Sequence, residues 1–286
     1  MNKLTILGVF FDGYKDLWPD FINLFKRHWP DCPFELFIVS NVDESYDIDG
    51  IKVLSAGHDA EYSRKIQYAL KNIDSDYYLV LLEDFFFSQR VDTNLFFSLL
   101  KYIEDNQIRY YAMPMVGFLH NYKGKKNSNR PGERFLSERA EYTLNCQPSI
   151  WKREYLTECI GTENYNAWVF EGLFSKINVR YKSLFVDKCI VNLTNPLSIV
   201  HGVVQGKFIQ SSYKTLSNDG YFFDSNRMMA TRKESCKRFL KVNIRRLLPY
   251  SFRRAIKKIF KPKSVMKSYE DTITSIIKAR WGEEAC

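Results

Sequence analysis

Six consecutive apolar residues, Tyr77 to Leu82, end on two adjacent carboxylates, Glu83 and Asp84, which precede three phenylalanines, Phe85 to Phe87. A continuous apolar run of strand length fits a strand buried on both faces of an α/β sheet. In open α/β sheets, ligands bind beyond the carboxyl ends of the strands. Glu83 and Asp84 are therefore expected at the mouth of a crevice, where a carboxylate can hold a hard cation. The competing reading is an ordinary solvated strand end.

The chain around this run alternates strand and helix patterns. Leu4 to Phe10 reads as a first strand, closed by Phe11-Asp12-Gly13-Tyr14. Lys15 to Trp29 carries apolar residues at helical spacing and is stopped by Pro30 and Pro33. Phe34 to Val39 and Ile51 to Leu54 read as strands separated by an acidic loop, and Glu61 to Ile73 as a helix. Asp92 is placed to cap a helix running to about Asn106, and Ile108 to Val116 reads as another strand. This order predicts an α/β fold with a Rossmann-like, mostly parallel sheet and helices on both faces. His120 to Arg139 is polar and charged and reads either as a mobile loop over the site or as a plain surface excursion. Tyr142 to Trp151 reads as a strand leading into a helix from Lys152 to Cys159; Asn166 opens a further helix, and Val179 to Asn192 is expected to hold the last strands.

A length of 286 residues with 45% hydrophobic content supports one large domain or a domain with an appendage. The apolar run at Met1 to Phe11 is too short for a signal peptide, and no apolar run reaches membrane-spanning length. Six cysteines lie scattered without CxxC pairing, which suits a reduced, cytoplasmic setting and no zinc knuckle.

The net charge of +9 is unevenly spread. Residues 227–267 hold 15 Lys and Arg against one acid, a local charge of +14, so the remainder carries 9 − 14 = −5. Within 237–261, apolar residues (Leu240, Ile244, Leu247, Phe252, Ile256, Ile259) share faces opposite basic ones. A basic amphipathic helix of this kind lies on an anionic membrane surface; the alternative is a helical hairpin packed on the body. The expected division is a body over 1–220 and a basic, helical C-terminal extension over 221–286.

There is no GxxxxGK[ST], no GxGxxG after the first strand, no GxSxG elbow and no HExxH helix. What stands instead is the order Leu81-Leu82-Glu83-Asp84-Phe85, Asn145-Cys146-Gln147-Pro148-Ser149-Ile150-Trp151, Asn166-Ala167-Trp168-Val169-Phe170-Glu171-Gly172, and His201-Gly202-Val203-Val204-Gln205-Gly206-Lys207. These motifs in this order resemble bacterial glycosyltransferases with the GT-A fold that build capsule, O-antigen and other surface polysaccharides. The resemblance covers roughly residues 4 to 210.

That resemblance implies roles. Glu83-Asp84-Phe85 stands where the family has an Asp-x-Asp-like motif for a divalent cation, Mn²⁺ or Mg²⁺, and the donor diphosphate; it departs from that pattern in that Phe85 replaces the last acid. Asp84 would be the main metal ligand, joined by His201. Glu171 stands where inverting enzymes place the carboxylate base, with Glu163 as fallback. Lys207 is a candidate diphosphate clamp. Phe11, Asp12, Asn41, Ser63 and Arg64 would hold the nucleotide base and ribose. Trp151 or Trp168 would stack on an acceptor sugar, although either aromatic can equally belong to the core.

The expectation is an inverting transfer of a sugar from a nucleoside-diphosphate sugar to a hydroxyl of a lipid-linked or oligosaccharide acceptor. The protein would sit on the inner face of the bacterial cytoplasmic membrane through residues 237–261. The alternatives are a sugar-phosphate nucleotidyltransferase, a non-enzymatic protein binding nucleic acid or membrane through its basic tail, and an inactive scaffold. Nucleic acid is the less expected partner, because the acidic body repels phosphate.

Overall fold

A computed structural model of the chain describes residues 3–115, 124–138, 143–236, 240 and 263–286. The amphipathic faces expected over 237–261 therefore lie, Leu240 apart, outside the described residues.

A nine-stranded sheet runs in the order β3-β4-β2-β1-β5-β9-β7-β10-β8. Its strands are β1 (Leu4–Val9), β2 (Leu36–Ser40), β3 (Tyr46–Ile48), β4 (Ile51–Ser55), β5 (Tyr77–Leu81), β7 (Tyr110–Ala112), β8 (Glu133–Phe135), β9 (Ser149–Lys152) and β10 (Cys189–Asn192). Strands β4, β2, β1, β5, β7 and β10 run one way, and β3, β9 and β8 the other. The mostly parallel α/β class is as expected.

The sheet is buried on both faces, and alternate residues feed different cores, as the two-residue period of a strand requires. Tyr77, Leu79 and Leu81 pack with α1 (Trp18–His28) and α3 (Thr93–Asp105). Tyr78 and Val80 pack with α2 (Tyr62–Asn72), α4 (Arg153–Ile160), α5 (Ala167–Lys176) and α6 (Val179–Phe185). The expected caps are in place: Asp92 accepts from the Leu95 amide at 3.0 Å, and Asn166 from the Val169 amide at 3.0 Å.

From β1 the chain builds β2 and then β4 outward on one side, and α2 carries it back to place β5 on the other side of β1. The crevice beyond the carboxyl ends of β1 and β5 is thus the topological switch point, where such sheets bind ligands. Two small sheets stand beside it: β6 (Phe85–Phe87) with β11 (Ile199–His201), and the hairpin β12 (Val203–Val204) to β13 (Lys207–Phe208), followed by α7 (Gln210–Asn218).

One expectation needs correction, and two stretches are placed. Val179 to Asn192, expected to hold the last strands, begins with a helix, α6, which Asn178 caps by accepting from the Arg180 amide at 3.0 Å; it contributes one strand, β10, and β11 to β13 follow it. The described part of 120–139, read as either a mobile loop or a surface excursion, contributes β8 and is stitched to the sheet edge. Its Glu133 is buried and accepts from Tyr111 Oη at 2.6 Å, Arg130 Nε at 2.5 Å and Asn127 Nδ2 at 3.1 Å. Described residues beyond 220 also pack on the body. Tyr221, Ser225 and Ala230 are buried against the body, and α8 (Lys263–Trp281) sends Ile273, Ile276 and Ile277 into the core shared with α5.

Candidate functional site

Asp84 follows β5, and its neighbour Phe85 pairs with His201 across the β6–β11 ladder. The Gly202 amide donates to the Asp84 carbonyl at 2.8 Å, so the backbone sets the two side chains on one another. His201 Nε2 lies 2.8 Å from Asp84 Oδ2, and Ser212 Oγ donates to the His201 carbonyl at 2.7 Å. Glu83, beside them, is buried; burial first, and then the Asp84 charge, hold its carboxyl well above the ordinary carboxylate range.

A residue that motif reading missed completes this corner. Lys65 of α2 is buried and donates from Nζ to the Phe10 carbonyl at 2.8 Å, its one hydrogen-bond partner among the described residues. Burial pulls its ammonium below the ordinary pKa, against the opposing pull of Asp12, Glu83 and Glu61. The signal in the sequence was a lysine in the inward phase of an amphipathic helix, between Tyr62 and Ala69.

The expected nucleotide-binding residues divide. Phe11 is 57% exposed at the end of β1, with the Lys65 ammonium 5.7 Å from its ring centroid. Asp12 turns inward and ties the ends of β1 and β2, accepting from Ser40 Oγ and, at 2.9 Å, from the Asn41 amide. The Asn41 side chain donates to the Gly57, His58 and Ala60 carbonyls at 2.8–3.0 Å, so it holds the rim of the crevice and has no amide hydrogen left to grip a ligand. Ser63 is not a ligand-binding residue: it is fully buried, donating to the Glu163 carbonyl and accepting from the Tyr165 amide, both at 2.8 Å. Arg64 is exposed on α2.

Glu171 reaches the same edge of the sheet from α5. Its Oε1 accepts from the Cys146 amide at 3.2 Å, just before the start of β9, where Ser149 pairs with Val80 of β5. Burial raises its carboxyl above the ordinary value, against the Cys146 hydrogen bond. The fallback, Glu163, is the weaker base of the two. Burial works to raise its carboxyl, but hydrogen bonds from the Arg280 guanidinium, at 3.0 and 3.1 Å from Nε, together with backbone amides outweigh that and hold it below the ordinary carboxylate range. The two tryptophans separate cleanly. Trp151 is 1% exposed, donates to Ser149 Oγ at 2.8 Å and packs on Tyr110, Tyr155 and Phe170, so it is a core residue and cannot stack on a sugar. Trp168 is 74% exposed, one helical turn from Glu171. Lys207 is paired with Glu234 at 2.7 Å and must leave it to meet a phosphate.

Among the described residues no three His, Cys, Asp or Glu side chains are grouped to cage a metal. Asp84 and His201 still fit a cation that draws its other ligands from substrate and water. Adjacent ligands of an octahedral ion with bonds of about 2.0–2.2 Å lie roughly 3 Å apart, and the observed Nε2–Oδ2 spacing is 2.8 Å. A carboxylate with an imidazole is a donor set that suits Mn²⁺. Among the described residues no helix is long and apolar enough to cross a membrane.

No protein-family model and no curated protein sequence matches the chain. Among solved structures it is similar to the 1–349 fragment of S. aureus TarS, at 14% identity over 67% of this chain and 58% of that one, with a TM-score of 0.44. The same fragment in complex with UDP-GlcNAc matches at 14% identity over 67% of this chain and 56% of that one, with a TM-score of 0.43. The bifunctional IspDF from Campylobacter jejuni matches at 13% identity over 59% of this chain and 47% of that one, with a TM-score of 0.31. The chain spans just over half the length of the TarS fragment it matches.

Proposed function

We propose that this chain is a glycosyltransferase. It moves a sugar, with inversion, from a nucleoside-diphosphate donor to a hydroxyl of a lipid-linked or oligosaccharide acceptor in cell-surface polysaccharide synthesis. The observation that carries the reading is the Asp84–His201 pair, 2.8 Å apart at the carboxyl end of β5. It stands at the switch point of the sheet, beside a buried lysine and an exposed aromatic ring.

In this reading Asp84 and His201 would hold Mn²⁺ or Mg²⁺, which when bound would neutralise the charge of the departing diphosphate. Lys65, with ammonium hydrogens to spare, supplies a second positive charge to the same phosphates. Phe11 offers its face to the nucleobase, and Trp168 offers an exposed face to the acceptor. Glu171 takes the acceptor hydroxyl proton as that oxygen bonds to the anomeric carbon; the bond from that carbon to the diphosphate breaks, and its electron pair leaves with the phosphate oxygen. Burial of Glu171 makes it a stronger base than a solvated carboxylate. Residues 237–261 would hold the protein at an anionic membrane surface, where lipid-linked acceptors reside.

The test is a nucleotide-sugar turnover screen with and without Mn²⁺ on the wild type, Asp84→Ala and Glu171→Ala. Turnover by the wild type alone supports the reading; no turnover or binding of any nucleotide sugar by the wild type ends it. NMR of the product anomer decides inversion against retention.

A further inference from the structure

The segment after α7 is fastened at two points to the stretch from Gly13 to Asp20. Buried Asp20 accepts from Tyr221 Oη at 2.9 Å, the Asp224 amide at 2.9 Å and the Ser225 amide at 3.2 Å, which fastens the segment to α1. Arg227 then makes a second, different attachment. Its guanidinium forks onto Asp16 at 2.6 and 2.7 Å, donates to the Gly13 carbonyl at 3.1 Å and lies 4.0 Å over the Tyr14 ring. Tyr14 Oη accepts in turn from the Gly206 amide at 3.0 Å, joining the β12–β13 hairpin to the same point.

Two of the three residues that Arg227 holds, Gly13 and Tyr14, abut Phe11. The Phe11 ring edge meets Tyr14 with centroids 6.0 Å apart. It also lies directly over Gly13: a Cβ there would come within 2.3 Å of Phe11 Cε1, so only glycine lets the ring sit where it does. Phe11 is 57% exposed, so fixing it adds little to the core. The Asp20 anchor already fastens the segment. What the Arg227 attachment adds is a fixed orientation for an exposed aromatic ring at the mouth of the crevice.

We propose that Arg227 is a positioning residue for nucleobase recognition, bracing Gly13 and Tyr14 so that the Phe11 ring stands ready to stack on the base of a nucleoside diphosphate. The inference rests on the reading of the crevice as a nucleotide-sugar site. Base–aromatic stacking makes the loss on removing the ring about tenfold or more in affinity. A guanidinium suits the role because its planar fork grips both Asp16 oxygens while its flat face covers Tyr14; an ammonium, a point charge, cannot do both at once.

The experiment measures binding of UDP, GDP, CDP, ADP and inorganic pyrophosphate, each with Mn²⁺, to the wild type, Phe11→Ala, Arg227→Ala, Arg227→Lys and the Phe11→Ala/Arg227→Ala double variant. The expected result is that Arg227→Ala weakens the preferred nucleoside diphosphate several-fold and leaves pyrophosphate binding unchanged. Arg227→Lys fails to rescue, and the double variant is no weaker than Phe11→Ala alone. If Arg227→Ala does not fold, Tyr14→Leu, which removes the ring between Arg227 and Phe11, must give the same selective loss. Additive losses in the double variant, or equal losses for pyrophosphate and nucleotide, overturn the inference while leaving the transferase reading intact. Selective losses in a protein that turns over no nucleotide sugar sink the transferase reading and leave the platform standing. A wild type that binds none of the nucleoside diphosphates overturns both.

Discussion

His201 and Asp84, 117 residues apart in sequence, meet side chain to side chain at 2.8 Å, with Phe85 and His201 in register on facing strands. The pair owes its geometry to backbone pairing and not to a chance approach of two long side chains. A short ladder and the Gly202-to-Asp84 hydrogen bond bring the histidine onto Asp84.

If the pair holds a cation, chelation abolishes turnover and added Mn²⁺ restores it. Asp84→Asn keeps the shape but loses the charge, and is expected to cut turnover by about 100-fold or more, the scale of losing a focused electrostatic contact in the transition state. His201→Gln is expected to raise the half-saturating Mn²⁺ concentration by about 10- to 100-fold. Turnover against Mn²⁺ concentration, for each variant, checks both.

The parts of this site legible in the sequence are those that local rules govern. The buried run of β5 and its carboxylates, the Asp92 cap and the Asn166 cap all follow from apolar periodicity and side-chain hydrogen bonds within three residues. What stayed hidden depends on partners far away in the chain. Lys65 is held beside the crevice because β1 brings the Phe10 carbonyl over it, and the Glu163 carboxyl is held below its ordinary value because Arg280 arrives from the last helix. Trp151 and Trp168 read alike as sugar platforms in sequence. They part because one sits on a strand covered on both faces and the other on the first, open turn of a helix.

Those two tryptophans give a paired test. Trp151→Ala is expected to cost about 3–5 kcal/mol of stability through the cavity it leaves. Trp168→Ala is expected to stay within about 0.5 kcal/mol, as an exposed substitution should, and to raise the acceptor KM with kcat little changed. Urea denaturation and acceptor saturation curves measure the two effects separately.

Glu171 gives a pH test. Its carboxyl is raised above the ordinary 4.5 by burial. A raised folded pKa means that the stabilising contribution is complete below the unfolded value and is lost as pH rises through the folded one. Glu171→Gln, which keeps an acceptor for the Cys146 amide, should match the wild type in stability near pH 4 and exceed it at pH 7 to 8, while transfer falls by about 100-fold or more. The wild-type rate should drop on the acid side with an apparent pKa above 4.5. Melting curves and a pH–rate profile check the sign of each.

The last helix gives a test of how the body is held together. Arg280 donates to the Cys159 carbonyl at 2.9 Å, the Ile160 carbonyl at 2.7 Å and both oxygens of Glu163, and fills the space over Gly161, whose φ of 64° and lack of a Cβ make room for the guanidinium. The loop it grips also holds Ser63 at the start of α2, the helix that carries Lys65. Arg280→Ala strands two carbonyls and a part-buried carboxylate, so it should cost about 2–4 kcal/mol, a range set by the breaking of a largely buried pair. Arg280→Lys should recover less than half of that, since one ammonium cannot serve carbonyls and carboxylate together. Because the Arg280 hydrogen bonds hold the Glu163 carboxyl below its ordinary value despite burial, this contribution is present above pH 4.5 and is lost as pH falls through the folded pKa. The gap between wild type and Arg280→Ala in urea midpoints should therefore narrow in acid. It should persist at about 0.5 M salt, where an exposed pair would be screened.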